Sequence, residues 1–338
     1  MDSTPRKQSP NAAGSRAKVS LKDLKPKKNP RDGAGSNEDR NVVMTDTTRH
    51  LPAPLLKSIA DGRCILFIGA GASMDAVDGA GRRLPHGGQL LGELLDLVQD
   101  SGDPDPPHIV EEIQELLHFA EFMSVSEWID KKLGHYQFTS HLRDRLLTAR
   151  QSAVHEILSR KPFRAVMTTN YDQLIDIHWH QAGKNPFVVV PNNTGGISAA
   201  QQALNAPRTE TIPIIRIHGA LNDPDTLIFF PRDYREIMFR NEAFRQFIAD
   251  TFRNFTILFI GTSFRDPNTQ SLLQWIRTIT DGKEAPLYAI LDSRGTVFKN
   301  YVRQNFNVQF ITYPAPNNDH SALRPLLESL WNPGAPSL

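Results

Sequence analysis

Cys64-Ile65-Leu66-Phe67-Ile68-Gly69-Ala70-Gly71-Ala72-Ser73 decides the fold. Five apolar residues run into a glycine with no polar side chain among them. A strand with one wet face would alternate, so this run reads as a strand buried on both faces, as in a parallel sheet. The pattern recurs down the chain. Arg164-Ala165-Val166-Met167-Thr168 and residues 187–190, 213–217, 227–230, 256–260, 287–291 and 308–311 each read as a strand. Apolar residues at helical spacing fall between most of them, over 146–158, 234–252 and 272–279, and again in a closing helix over 323–330. Alternating strands and helices predict an α/β fold, a Rossmann-like, doubly wound, mostly parallel sheet with helices on both faces.

The stretch from Ala72 to Lys161 separates the first two strands and exceeds an ordinary crossover. It reads as a helical insertion after the first strand, about residues 87–161, packed over one end of the sheet. The folded domain is expected over 49–333. Residues 1–48 are rich in Lys, Arg, Ser, Pro, Gly and Asn, and between Met1 and Arg40 ten basic residues face five acids. Such a segment cannot bury enough apolar surface to offset its ordering entropy, so a disordered basic tail is expected. Any contact with nucleic acid would come through that tail.

The chain has 338 residues and a net charge of +1, which gives no general argument for a nucleic-acid or membrane binder. Its start lacks the apolar region of a secretory signal, and no run of about 18 apolar residues is present, so the expected compartment is the cytoplasm. Cys64 is the lone cysteine, which excludes an intramolecular disulfide and a multi-cysteine zinc site.

The polar motifs sit at the predicted strand ends, where open α/β sheets bind ligands. Gly69, Ala70, Gly71 and Ser73 follow the first strand. Glycines there let a backbone approach a pyrophosphate, although Met74 stands where a full dinucleotide fingerprint has its third glycine, and a tight turn explains them equally. Thr168-Thr169-Asn170-Tyr171-Asp172 ends the second strand. Capping of the next helix by Thr169 or Asn170 accounts for one polar residue, not for five in a row. Ile217-His218-Gly219 places a histidine on the same rim, where it could act as a base near neutral pH. Gly261-Thr262-Ser263 offers backbone and hydroxyl donors, and Asp292 closes the following strand as an acceptor for ribose hydroxyls.

Together and in this order, these motifs resemble the sirtuin superfamily over roughly residues 55–330. The resemblance implies NAD as the ligand. It assigns Asn170, Asp172 and His218 to the reacting end, with Asn170 on the ribose and water, Asp172 on the carboxamide and His218 as catalytic histidine. Gly69, Ala70, Gly71, Ser73, Thr169, Gly261, Thr262 and Ser263 would hold the pyrophosphate and adenosine side, and Asp292 the adenine ribose. Three departures stand out: no four-cysteine zinc module, Thr169 in place of the usual glutamine, and Arg82-Arg83-Leu84-Pro85-His86 where Asp-Phe-Arg is expected. They make the chain similar to the bacterial sirtuin-like NADases of anti-phage defence, which deplete NAD. That branch implies NAD hydrolysis at the nicotinamide–ribose bond without a metal. A deacylase, an ADP-ribosyltransferase or a non-catalytic NAD or ADP-ribose sensor are the competing activities. No room for a sensor domain is expected after Leu338, so the trigger would be homo-oligomerisation or a separate chain such as a HerA-like ATPase.

Overall fold

A computed structural model describes residues 51–331, apart from 101–105, 119–120 and 294. All belong to one compact unit, Asp46–Leu338. The predicted basic tail lies outside the described residues.

Seven parallel strands form the sheet: β1 (Cys64–Ile68), β2 (Ala165–Thr168), β3 (Asn185–Val189), β4 (Thr211–Arg216), β5 (Thr256–Ile260), β6 (Leu287–Asp292) and β7 (Val308–Tyr313). Their spatial order is β3-β4-β2-β1-β5-β6-β7. The chain builds one half outward from β1, then returns across it after β4 and builds the other half from β5. The reversal places a topological switch point between β1 and β5, which pair Ile68 with Ile260 at their carboxyl ends.

Both faces are covered, and strand periodicity sorts the residues between them. Ile65 and Phe67 of β1, with Ile257 and Phe259 of β5, join one core cluster. Against it pack α8 (Thr194–Asn205), α10 (Glu242–Asn254), α11 (Pro267–Ile279) and α12 (Thr296–Phe306). Cys64, Leu66 and Ile68, with Leu258 and Ile260, join the cluster on the other face. There α1 (Ala53–Ala60), α6 (Ala153–Ser159), α7 (Leu174–Gln181) and α13 (Leu323–Trp331) cover the sheet. The architecture is the doubly wound α/β fold that the sequence predicts.

The stretch between β1 and β2 holds α2 (Gly87–Asp100), α3 (Pro107–His118), α4 (Phe122–Lys132) and α5 (His135–Leu146) before α6. These four helices share a third core that includes Leu94, Ile129, Phe138 and Leu142. Arg145 ties it together from α5, bonding Asp78 at 2.7 Å and Glu93 at 2.7 and 2.8 Å. The fifth helix, α6, packs on the sheet instead, through Val154 and Leu158.

Three segments differ from the sequence reading. Residues 227–230 form no strand; they run extended, largely buried against the insertion's core, and Ile228 N–H donates to the carbonyl of His218 at 3.0 Å. The apolar stripe over 146–158 is two helices, because Ser152 caps α6 by accepting from His155 N–H at 3.2 Å. The stripe over 234–252 is likewise divided. A short helix α9 (Pro231–Arg235) continues into a π-helical turn (Glu236–Arg240), and Asn241 caps α10 by accepting from Phe244 N–H at 2.9 Å.

Candidate functional site

The glycines after β1 meet the glycine after β5. Gly69 N–H donates to Ile260 O and Gly71 N–H to Gly261 O, both at 2.9 Å, and Ala72 N–H turns back to Gly69 O at 3.0 Å. Gly261 has φ +74°, and a Cβ there would stand 2.1 Å from Ala72 N. A Cβ at Gly71 would stand 2.8 Å from Gly261 O. The glycines are therefore required by loop-on-loop packing at the switch point, before any ligand is considered. Thr262 sits in this seam with its hydroxyl buried and without a hydrogen-bond partner.

The loop after β2 carries the densest polar group. Ser73 Oγ donates to Asp172 Oδ2 at 2.9 Å, and Asn170 Nδ2 lies 3.2 Å from both Ser73 Oγ and Asp172 Oδ2. The second oxygen of Asp172 accepts from Leu174 N–H at 3.1 Å, so Asp172, rather than Thr169 or Asn170, holds the start of α7. A carboxylate only accepts, so the Asn170 amide must turn its NH2 toward Asp172. Its Oδ1 is left buried and without a partner. The backbone of Asn170 is fixed as well: its N–H donates to Thr168 Oγ1 at 2.9 Å, and its carbonyl accepts from Arg216 Nη1 at 3.0 Å. Arg216, buried at the end of β4, also pairs with Asp176 on α7.

His218 stands at the matching level of the next strand. The ladder pairs Thr168 with Arg216, so Asn170 and His218 each lie two residues past that pair. Gly219 has φ +85°, and a Cβ there would meet Thr226 O at 2.1 Å, so only glycine lets the chain turn after the histidine. His218 lines a cleft of about 540 Å³, a figure that includes space open to solvent, together with Thr169, Tyr234, Asp266, Thr269 and a majority of apolar side chains. The Tyr234 ring meets the imidazole edge-on at 5.3 Å between centroids. Burial pushes the imidazole down to about 4, against the pull of the Asp266 carboxylate. Thr169 faces this cleft, whereas the neighbouring Asn170 side chain turns to Ser73 and Asp172.

The remaining predicted residues lie along the same edge. Ser263 is exposed after β5, its hydroxyl accepting from Arg265 N–H at 3.3 Å. Asp292 ends β6, with its carbonyl accepting from Lys299 Nζ at 3.1 Å. Ala70 opens the single turn that carries Ser73. Cys64 is buried at the opposite end of β1, with its thiol pushed up to about 12 by burial, so it is no nucleophile at neutral pH. Sequence reasoning overlooked Arg216, Asp266 and Tyr234. Arg216 had a signal: an arginine closing a buried strand requires a partner. Among the described residues no group of three or more metal-ligand side chains occurs, and no helix is long and apolar enough to cross a membrane.

A parallel sheet with glycine loops interlocked at its switch point, and an asparagine and a histidine at neighbouring strand ends, defines a doubly wound α/β protein with polar groups gathered at the edge where such folds bind ligands. Residues 164–311 match the model of the SIR2-like domain family. Over those residues the chain is similar to SIR2-like domains, and it is similar to bacterial proteins named NAD(+) hydrolase ThsA. The relative from Enterococcus faecium is 32% identical over 149 residues, which is 44% of this chain and 29% of that protein. The relative from Cytobacillus dafuensis is 27% identical over 239 residues, 70% of this chain and 43% of the relative. That from Acinetobacter baumannii (strain 532279) is 24% identical over 237 residues, 70% and 44% respectively. The matched part of the chain thus spans less than half the length of these relatives.

Proposed function

We propose that this chain hydrolyses NAD at the nicotinamide–ribose bond. The observation that carries the reading is the Asn170 amide: a buried oxygen without a partner, aimed by Ser73 and Asp172 at the amide nitrogen and by Thr168 and Arg216 at the backbone, beside the switch point of the sheet. A buried acceptor left unmet is costly, and a ribose hydroxyl or water would meet it. The kinship with NAD(+) hydrolases supports the choice of dinucleotide.

In this mechanism the C1′–N bond breaks, its electron pair leaves with nicotinamide, and a water oxygen bonds to C1′. Nicotinamide in NAD already carries positive charge, so it departs without an acid. Asn170 Oδ1 orients the water or a ribose hydroxyl. His218, kept neutral by its desolvated cleft, takes the proton, and the Asp266 carboxylate stabilises the imidazolium as it forms. Asp172 acts as the orienter of Asn170, since its oxygens already bind Ser73, Asn170 and Leu174. Gly69, Ala70, Gly71, Thr169, Gly261, Thr262 and Ser263 form the floor for the pyrophosphate side, and Asp292 receives the adenine ribose.

Depletion of cellular NAD in anti-phage defence is the role we attach to this chemistry, in the cytoplasm and gated by homo-oligomerisation or by a partner chain such as a HerA-like ATPase. The basic tail 1–48 is proposed to be dispensable for folding. The deciding experiment incubates purified protein with NAD, alone and after assembly, and resolves nicotinamide and ADP-ribose by chromatography. Release that is lost in Asn170→Ala and His218→Ala supports the reading. Tight NAD or ADP-ribose binding without release in any assembly state replaces it with a sensor.

A further inference from the structure

We infer that Arg265 binds a phosphate group of the dinucleotide, an inference that rests on the NAD reading above. The need for such a residue follows from the glycine seam. The N–H groups of Gly69, Gly71 and Ala72 donate to backbone carbonyls within the seam, so these three amides are not available to an anion. Neither Gly69-Ala70-Gly71-Ala72-Ser73 nor Gly261-Thr262-Ser263 contains a cation. A dinucleotide bound there places at least two negative charges against a floor that supplies little positive charge of its own.

Arg265 lies two residues past Ser263, on the loop that leaves β5. Its side chain is exposed, and its guanidinium is held 4.8 Å above the centre of the Phe298 ring. Among the described residues that guanidinium makes no hydrogen bond and no ion pair. The adjacent carboxylate does not take it: Asp266 Oδ2 accepts from Thr269 N–H at 2.9 Å and from Thr269 Oγ1 at 2.8 Å. The other strand-edge arginine, Arg216, is by contrast fully engaged with Asn170 and Asp176. An arginine fixed by its face, with its N–H edge uncommitted, on the ligand-binding rim of an α/β sheet, is a preorganised fork for a phosphate. Phe298 supplies the rigidity, and Lys299 on the same helix adds a second cation, anchored on the carbonyl of Asp292.

Two phosphates could meet this fork: the pyrophosphate that every such dinucleotide carries, or a 2′-phosphate on the adenine ribose. Titration calorimetry on the full chain separates them. The ligands are NAD, NADP, ADP-ribose and adenosine, each titrated into wild type, Arg265→Met and Arg265→Lys. Methionine keeps an unbranched apolar stem over Phe298 and removes only the charge. Arg265→Met is expected to weaken phosphate-bearing ligands by about tenfold or more, the usual worth of a charge-assisted hydrogen bond, with adenosine unaffected. Arg265→Lys should restore part of the loss. An equal loss for NAD, NADP and ADP-ribose assigns the pyrophosphate, whereas a loss confined to NADP assigns the 2′-phosphate. The inference is overturned if Arg265→Met binds all three phosphate ligands like wild type. It is also overturned if adenosine weakens equally, since Arg265 would then serve packing alone. Failure of wild type to bind any dinucleotide would instead remove the NAD reading itself.

Discussion

Asn170 and His218 stand at the same level of neighbouring strands, yet their surroundings differ in kind. Asn170 is held by polar partners: Ser73, Asp172, Thr168 and Arg216 fix its amide and its backbone, leaving one oxygen over. Around His218 the neighbours are mostly apolar, and the imidazole is controlled by desolvation and by one carboxylate in the same cleft. The first arrangement sets direction; the second sets protonation. A hydrogen-bonded cluster cannot change its geometry without breaking bonds, whereas a desolvated base changes its strength with small changes in burial. In the proposed mechanism the two side chains thus divide the chemistry into an aiming half and a titrating half.

The largest expected effect comes from removing each half. His218→Ala should lower nicotinamide release by ~100- to 10,000-fold, the usual range for loss of a base. Asn170→Ala should cost roughly 100- to 1,000-fold, as for loss of one preorganised polar contact. Both should still bind NAD in titration calorimetry. Near wild-type release by either variant would break the comparison.

Next is Arg216→Met, which leaves Asp176 and the Asn170 carbonyl without their cation. Removing one partner of a buried ion pair costs about 3–5 kcal/mol, and the partial exposure of Asp176 lowers that cost. Chemical denaturation should register that loss, and kcat should fall while His218 keeps its titration in an NMR pH series. A shifted His218 titration would mean that the two halves are coupled. Of similar size is Gly261→Ala, with its positive φ and a Cβ 2.1 Å from Ala72 N. Strain of this kind costs about 1–3 kcal/mol, and a thermal melt should show it with or without NAD.

The titrating half has a pH signature. The folded-state pKa of His218 lies at about 4, below the ordinary 6.5 of the unfolded chain. Between those values the folded protein binds fewer protons than the unfolded one, so stability rises with pH across the window and falls as acid is added. Burial shifts His155 and His178 in the same direction, adding to the acid sensitivity. Melting temperature should therefore drop as pH falls from 6.5 toward 4, and less steeply in His218→Gln. The acid limb of kcat/KM should lie well below pH 6.5; a limb at 6.5 would show a solvated histidine.

The smallest effect is expected at Thr262, whose buried hydroxyl has no partner. Thr262→Val should leave stability unchanged or slightly raised, because an unmet polar group is removed, while NAD affinity falls several-fold. A marked loss of stability would show that the hydroxyl serves the fold.

Much of this was legible in the sequence. Residues 64–68 and 256–260 announce themselves because central parallel strands must be apolar on both faces and stop at glycine. Residues 227–230 are as apolar and read the same way, but Leu227, Phe229 and Phe230 pack against the helical insertion, a partner that local pattern does not reveal. The stripes over 146–158 and 234–252 hid the breaks at Ser152 and Asn241: an apolar stripe continues through a kink, and the capping residues were the overlooked signal. The candidate site residues are legible as polar groups at strand ends. Their commitments are not, because they rest on distant pairings: Ser73 meets Asp172 across 99 positions of sequence. Asp266 reaches the cleft of His218 only once β4 and β5 lie in one sheet.

The seam between Gly71 and Gly261 joins residues that the ribosome makes far apart in time. A nascent chain that ends before β5 already contains Asn170 and His218, but half of the floor beside them is still unmade. Pairing of β1 with β5 closes a very long loop, the kind of contact that folding reaches late. On the proposed reading the pocket is thereby coupled to completion of synthesis, so a truncated or stalled chain would carry Asn170 and His218 without the surface proposed to hold a dinucleotide against them.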